Sequence, residues 1–262
     1  MAPSFREIVD ERGVATLTLN RPDRHNCFDD EFIASLVATL KRLEDDAKVR
    51  AVVLASSGRS FSAGADLEWM RGMADQSFEA NLADAGRLAA LMHALDRLPK
   101  PTLALVQGPA YGGGVGLVAC CDVAIASERA SFALSEVTLG LTPATISPYV
   151  INAIGARWAR RYFQTAEVFT AAHAKEIGLV HEVVGETELV AAGEKVLKAV
   201  LNGAPGAQAA AKDLVFLREG RIVDAAFGEE TGRRIAERRT SVEGQEGIAA
   251  FLSKRAPSWR HS

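Results

Sequence analysis

The chain has 262 residues, of which 48% are hydrophobic and 24% charged, and its formal net charge is −3. This length and composition allow a sizeable core and indicate one main domain, and the lack of a basic excess argues against nucleic acid as the principal partner. The protein is predicted to be soluble and cytoplasmic. Its three cysteines suggest free thiols and no disulfides, and its scattered histidines suggest no metal cluster. No apolar run approaches the ~18 residues of a membrane span.

The first elements in chain order are a predicted β-hairpin and a helix. The segments from Phe5 to Val9 and from Val14 to Leu19 favour strands that are joined by a turn at residues 11–13. A polar loop follows at residues 20–26. From Asp29 to Asp46 the apolar side chains recur at helical spacing, so this segment is predicted to cover one face of a sheet.

A second buried strand leads into a turn of small residues. The apolar run from Val49 to Ala55 predicts the strand, and the sequence SSGRSFSAGADL follows it. Ala63, Gly64 and Ala65, with Asp66 at the start of a helix, predict backbone N–H groups that a ligand can reach. A longer helix is expected to end at Leu98, because prolines follow it.

The stretch from Pro101 to Leu141 carries the clearest functional signal. A strand from Thr102 to Val106 runs into five closely spaced glycines and a short helix, and a strand from Val123 to Ala126 and the carboxylate of Glu136 follow. Unpaired N–H groups at such a helix start favour negative charge, which suits an oxyanion hole. The glycines match neither a P-loop nor a dinucleotide-binding turn, whereas a purely structural turn stays open.

Beyond Pro148 the pattern is mainly helical. Helices are predicted at 149–164, 170–176, 187–202, 206–218, 221–236 and 241–254, with one strand from Val180 to Val184. Thr240 and Glu243 have the spacing of a capping box for the last helix. Strands that alternate with helices before residue 140 indicate an α/β fold with parallel pairing.

Three motifs in order resemble the crotonase (enoyl-CoA hydratase/isomerase) superfamily. They are FSAGADL at residues 61–67, the glycines between Gly108 and Gly116, and SEVTLG at residues 135–140. The resemblance extends over essentially the whole chain. It implies a ββα spiral core that binds acyl-CoA at residues 1–200, and a C-terminal helical region at 201–262 through which subunits form trimers or hexamers.

The resemblance also implies roles for individual residues, and no cofactor beyond the CoA carried by the substrate. The N–H groups of Ala63 and Gly113 would hold the thioester oxygen, and Glu136, in an apolar segment, would handle the proton. A structural role of Glu136 in a first helical turn is the alternative. Contacts with CoA are implied for a further set, of which the last two would come from a neighbouring subunit: Arg24, His25, Ala63, Gly64, Ala65, Asp66, Leu67, Gly112, Gly113, Phe251 and Lys254.

The sequence departs from the usual hydratase at Gly116, where such enzymes carry a second Glu. One carboxylate suffices to move a proton between carbons, so this loss favours a Δ3-Δ2-enoyl-CoA isomerase, unless Glu68 or the substrate replaces the missing group. The segment from Glu136 to Val150 is similar to hydratases of methylglutaconyl-CoA or carboxygeranoyl-CoA, which favours hydration. A non-catalytic protein that binds CoA esters is the alternative of another class; RNA association, known in some relatives, is disfavoured by the charge.

Overall fold

The computed structural model describes residues 3–260. In this range the strands are β1 (Phe5–Val9), β2 (Val14–Leu19), β3 (Ala51–Ser56), β4 (Thr102–Val106), β5 (Ala110–Tyr111), β6 (Val123–Ser127), β7 (Ser131–Ala133), β8 (Phe169–Thr170) and β9 (Glu182–Val184). The helices are α1 (Asp30–Asp45), α2 (Leu67–Ala74), α3 (Phe78–Asp96), α4 (Gly113–Ala119), α5 (Ser147–Thr165), α6 (Ala171–Glu176), α7 (Leu189–Leu201), α8 (Pro205–Arg218), α9 (Ala225–Thr240) and α10 (Val242–Leu252).

The main sheet has six strands in the order β1-β2-β3-β4-β6-β9. Strands β1 and β2 form the predicted antiparallel hairpin, with Phe5 opposite Leu19 and Val9 opposite Ala15. All other pairs in this sheet are parallel. The carboxyl ends of β2, β3 and β4 therefore lie side by side at one edge, where the loops that follow them can meet.

Both faces of the sheet are buried, which explains why β3 is apolar at successive positions. Val52 and Leu54 face the large core that α1, α3, α4 and α5 cover. Ala51 and Val53 face a smaller cluster that includes Leu189 and Leu197 of α7. The α/β class and the C-terminal helical region predicted from the sequence are confirmed.

A second, three-stranded sheet was not predicted. Its order is β5-β7-β8, with a parallel and an antiparallel pair of two or three residues each. Segments this short carry too little alternation for a sequence pattern to reveal them. The predicted strand from Val180 begins only at Glu182, because the N–H of Val180 still donates to the carbonyl oxygen of Ala174 in the turn that follows α6.

The predicted capping box at the start of α10 is wrong. Ser241 is the N-cap, and its Oγ accepts a hydrogen bond from the N–H of Gly244 at 3.0 Å. The Thr240 hydroxyl instead donates back to the carbonyl oxygen of Ala236 at 3.1 Å, within α9. Glu243 reaches another helix, where its carboxylate accepts from the N–H groups of Gly206 and Ala207 at the start of α8.

None of the helices in residues 3–260 is both long enough and apolar enough to cross a membrane.

Candidate active site

Three loops that follow β2, β3 and β4 are joined to one another by backbone hydrogen bonds. The N–H of Phe28 donates to the carbonyl oxygen of Gly64, and the N–H of Asp66 donates to that of Phe28, both at 2.9 Å. Ser62 is paired with Ala110 in a parallel β-bridge. The order of parallel strands thus brings together the segments of the first two sequence motifs.

A cavity of about 590 Å³ opens where these loops meet the segment after β7. The cavity has a polar wall from the loops and a largely apolar wall from α2, α3 and residues 139–146. It is lined by Arg24, His25, Cys27, Phe28, Ala63, Ala65, Asp66, Leu67, Glu68, Met70, Leu88, Gly112, Gly113, Ser135, Glu136, Leu139, Leu141, Thr142, Pro143, Thr145 and Ile146.

Glu136 stands in this cavity next to the glycine turn. It begins a short 3₁₀ helix, Glu136–Leu139. A Cβ placed on Gly112 would lie 3.1 Å from Glu136 Oε1, so the carboxylate is close to that turn. The other oxygen, Oε2, is buried and has no hydrogen-bond partner among the described residues. Burial raises the pKa of Glu136, because the charged form loses its hydration.

Gly113 supplies a backbone donor beside Glu136. It is the first residue of α4, and its N–H has no acceptor among residues 3–260. The preceding Gly112 has φ 49° and ψ −120°, a conformation that residues with a Cβ rarely adopt. A Cβ on Gly113 itself would lie 2.4 Å from the ring of Phe28, so both positions require glycine.

The structure corrects the sequence prediction that Ala63 is the second donor. The N–H of Ala63 already donates to the carbonyl oxygen of His25 at 2.9 Å. Phe28 and Ala65 are paired in a parallel β-bridge. Its two hydrogen bonds join Phe28 to the carbonyl oxygen of Gly64 and to the N–H of Asp66, so the N–H of Ala65 takes no part in the pairing. Within the described part of the chain this N–H has no acceptor, and Ala65 lines the cavity.

Gly64 brings the two donor segments into contact. It has φ 81°, and a Cβ there would lie 2.8 Å from the carbonyl oxygen of Tyr111 and 3.1 Å from the backbone nitrogen of Gly113. The loop that contains Ala65 therefore packs directly on the start of α4. Ala65 therefore replaces Ala63 as the partner of Gly113, because both residues line the cavity and neither N–H has an acceptor among residues 3–260.

Asp66 acts as the N-cap of α2, accepting hydrogen bonds from the N–H groups of Glu68 and Trp69. Burial acts to raise its pKa, but hydrogen bonds from the Cys27 thiol, these N–H groups and Arg24 outweigh burial, and the pKa of Asp66 is lowered. Asp66 therefore fixes the geometry of the loop as an ionised carboxylate. Leu67, the next residue, is exposed at the edge of the cavity.

Arg24 and His25, for which the sequence predicts contact with CoA, both line the cavity. Arg24 pairs with Asp66 at 3.1 Å and with Glu68 at 3.3 Å, and it is exposed. The ring of His25 contacts Ser60 Oγ through Nδ1 at 2.9 Å. Glu68 pairs with Arg24 at the cavity wall and is exposed, whereas Glu136 is half-buried.

Gly116, where the resemblance implies a second Glu, has no room for a side chain. Gly116 lies inside α4, and a Cβ there would lie 2.3 Å from Ile146 Cγ2 and 3.2 Å from Met92 Sδ. Ile146 is 2% exposed and packs against the helix at this point. A larger side chain at residue 116 would displace the core wall of the cavity.

Phe251 and Lys254 do not line the cavity of their own chain. Phe251 is 82% exposed at the end of α10, and Lys254 is exposed just after it. Two residues that shape the site were not predicted from sequence: Cys27 and Phe28. Their roles depend on contacts between segments far apart in the chain, which no local pattern encodes. No group of His, Cys, Asp and Glu among residues 3–260 is arranged to hold a metal ion.

The fold and this cavity together define a class of protein: an α/β core whose parallel strands bring the half-buried carboxylate of Glu136 into one pocket with backbone N–H groups that have no acceptor among residues 3–260. A family model described as enoyl-CoA hydratase/isomerase matches residues 10–262. A Thermus thermophilus protein that bears an enoyl-CoA hydratase name is 34% identical over 254 residues, covering 95% of this chain and 98% of that protein.

Solved structures agree with this match. The crystal structure of an enoyl-CoA hydratase from Shewanella pealeana superposes with a TM-score of 0.95 at 46% identity, covering 98% of this chain and 96% of that one. An enoyl-CoA hydratase from Mycobacterium smegmatis gives a TM-score of 0.92 at 36% identity, with coverages of 99% and 100%. The chain belongs to the enoyl-CoA hydratase/isomerase family and is an enzyme of the crotonase superfamily.

Proposed function

We propose that this enzyme adds water across the 2,3 double bond of an enoyl-CoA thioester, with Glu136 as its acid–base group. The observation that carries the proposal is the carboxylate of Glu136, half-buried in the cavity with Oε2 unpartnered among the described residues and Oε1 close to Gly112. A buried polar atom without a partner is costly in a folded protein, so its retention fits a catalytic group that meets its partner in the substrate complex.

The proposed reaction uses the two free N–H groups of Ala65 and Gly113 as donors to the thioester oxygen. As the oxygen of a water molecule bonds to C3, Glu136 accepts a proton from that water. The electron pair of the double bond moves onto the thioester oxygen, where the two donors stabilise the charge. The protonated Glu136 then returns the proton to C2, which gives the 3-hydroxyacyl-CoA.

The remaining site residues are proposed to hold CoA. Arg24 and His25 lie on the loop after β2, and the wall beside it is lined by Ala63, Ala65, Asp66, Leu67 and Gly112. Phe251 and Lys254 are proposed to reach the CoA of a neighbouring subunit in a trimer or hexamer, since both are exposed and neither lines the cavity of its own chain. Cytoplasmic location is also proposed, because Cys27, Cys120 and Cys121 are free and buried.

Isomerisation of a 3-enoyl-CoA to a 2-enoyl-CoA is the second candidate. Ile146 fills the space beside Gly116, so a water molecule has no second carboxylate at that position. Removing a proton from C2 and returning it to C4 needs only one base.

The proposed substrate class for hydration is a branched, carboxylated enoyl-CoA such as methylglutaconyl-CoA. The support is the similarity of the segment from Glu136 to Val150 to hydratases that act on such esters.

The deciding experiment incubates the enzyme with 2-enoyl-CoA, 3-enoyl-CoA and 3-methylglutaconyl-CoA and follows the products by mass spectrometry and NMR. Water addition adds the mass of one water molecule, whereas double-bond migration leaves the mass unchanged. Hydration of at least one 2-enoyl-CoA is expected. Migration alone would support the isomerase, and tight binding of every ester without turnover would contradict catalysis.

A matched pair of variants tests the role of Glu136. Glu136→Gln removes the base and keeps the size of the side chain, and turnover should fall by at least about 100-fold. Glu68→Gln alters the exposed carboxylate of the same cavity and should retain most activity. Equal losses in both variants, or turnover near the wild-type rate in a folded Glu136→Gln protein, would contradict the proposed assignment.

A further inference from the structure

A second cavity, of about 790 Å³, shares no lining residue with the candidate active site. It is bounded by the turn between β1 and β2, the start of β3, helix α7 and the last residues of the described chain. We call it the cationic groove, because its lining includes one carboxylate, that of Glu194, and five cationic side chains: Arg12, Arg50, Lys195, Lys198 and Arg260.

Arg50 is the unusual member of this groove. It is 8% exposed, and its guanidinium donates to two carbonyl oxygens, those of Trp259 at 2.9 Å and Gly203 at 2.8 Å. Its Nε is buried without an acceptor among the described residues. A guanidinium carries five N–H donors, so the two carbonyl contacts leave most of its donor capacity unused.

No carboxylate within residues 3–260 forms an ion pair with Arg50. Glu243 acts on it through space, but the oxygens of Glu243 already accept from Arg238, Gly206 and Ala207. Burial lowers the pKa of Arg50, as expected for a charge that loses hydration without a counter-ion. Buried charges in proteins are usually paired, and Arg50, which has no ion pair among residues 3–260, suits the binding of an anion at this cavity wall.

Three of the other four cations of the groove form no ion pair among residues 3–260. Lys195 and Lys198 are three residues apart on α7, so both lie on one side of the helix, and both are exposed. Within the described chain neither forms an ion pair, and the guanidinium of Arg260 donates only to the side-chain oxygen of Asn202, at 2.9 Å. Arg12 differs, because it holds both Asp10 and Glu194.

The rest of the lining is largely apolar and includes an indole. Trp259 is fixed by a hydrogen bond from Nε1 to the carbonyl oxygen of Asn202 at 3.2 Å and by packing against α10 near Gly247. A planar apolar group beside four available cations suits a ligand that combines a polyphosphate with a flat organic part. We propose that the cationic groove binds a nucleoside polyphosphate, independently of the acyl-CoA reaction.

The test is calorimetric titration of the full-length protein, at low salt, with ATP, inorganic tripolyphosphate, 3′,5′-ADP and adenosine. ATP should bind with a Kd below about 1 mM, tripolyphosphate more weakly, and adenosine not measurably. Titration with 3′,5′-ADP, the nucleotide part of CoA, shows whether the groove prefers a polyphosphate nucleotide or that of CoA. Absence of ATP and tripolyphosphate binding would overturn the proposal.

Two charge-reversal variants locate the binding. K195E/K198E should weaken ATP binding by at least about tenfold and leave enoyl-CoA turnover unchanged, because neither lysine touches the active-site cavity. K41E/K175E makes the same change in net charge at exposed lysines outside the groove and should bind ATP as the wild type does. Equal binding by K195E/K198E and wild type, or equal weakening by both variants, would refute a site in the groove.

Discussion

At the scale of single residues, Glu136 combines two properties that oppose stability and favour catalysis. Its carboxylate is half-buried in a cavity with an apolar wall, and one of its oxygens lacks a partner among the described residues. Both properties disfavour the ionised form. A raised pKa places the carboxyl closer to the range in which it can both accept and return a proton.

The raised pKa of Glu136 predicts a pH-dependent gain in stability for Glu136→Gln. Below the pKa of a Glu in the unfolded chain, the carboxyl is protonated in both states and its burial carries no charge penalty. As pH rises toward the higher pKa of the folded state, the unfolded chain ionises first, and the wild-type protein loses stability. Gln cannot ionise, so the variant should gain relative to wild type over this range.

Urea denaturation from pH 4 to pH 8 measures this difference directly. The free energy of unfolding of Glu136→Gln, relative to wild type, should increase with pH and then level off. Glu68→Gln provides the control for a change of carboxylate on the exposed wall of the same cavity. A difference in the free energy of unfolding between Glu136→Gln and wild type that does not increase from pH 4 to pH 8 would contradict the burial of the charge.

Gly116 and Ile146 form a second residue-scale prediction. A Cβ at residue 116 would lie 2.3 Å from Ile146 Cγ2, so Gly116→Ala should destabilise the protein by about 1–3 kcal/mol through overpacking. Ile146→Ala should cost about 2–5 kcal/mol by itself. Since the alanine of Ile146→Ala lacks the obstructing methyl group, the double variant should lose less stability than the sum of the single losses, as measured by urea denaturation. Additive losses would show that the two side chains do not compete for this space.

At the scale of elements, long periodic segments were predictable and short or non-local ones were not. Helix α1 and strand β4 follow from repeated apolar spacing within one segment, and the structure has both. Strands β5, β7 and β8 are held by pairing with one another and carry no period of their own. Thr240 is not the cap because α9 continues through it, which the spacing of Thr240 and Glu243 alone could not reveal.

The correct cap gives a prediction with an internal control. Ser241→Ala removes the acceptor for the N–H of Gly244 and should destabilise the protein by about 1 kcal/mol. Thr240→Ala removes a hydroxyl that bonds back to α9 and should change the free energy of unfolding by less than about 0.5 kcal/mol. Chemical denaturation of both variants tests the assignment, and the reverse order of losses would restore Thr240 as the cap.

At the scale of the molecule, the sequence motifs predicted which loops form the candidate site. Which backbone N–H groups are free to donate there could be read only from the pairing of the strands. The glycines at 112 and 113 and Glu136 were found because each belongs to a local motif. The motif alone pointed to Ala63 rather than Ala65, because the choice depends on the bridge to Phe28, about forty residues earlier in the chain. The burial of Arg50, which has no ion pair among residues 3–260, likewise arises only when the start of β3, the turn after α7 and the C-terminal segment meet.

The C-terminal helices carry the last prediction, which concerns assembly. Several large apolar side chains there are exposed in the single chain: Ile222, Val223, Val242, Ile248, Phe251 and Leu252. Large apolar side chains that are exposed in a single chain favour association of subunits that would bury them. Light scattering coupled to size-exclusion chromatography should therefore give the mass of a trimer or hexamer, and Phe251→Asp should shift it toward smaller species.

The same variant connects assembly to the site. If Phe251 reaches the CoA of a neighbouring subunit, Phe251→Asp should raise KM for an accepted enoyl-CoA more than it lowers kcat, because the residue does not line the cavity that holds Glu136 in its own chain. Val190→Asp also replaces an exposed apolar side chain by a carboxylate, on α7, and should alter neither mass nor KM. A Phe251→Asp protein with wild-type mass and KM would place the subunit interface and the CoA contact elsewhere.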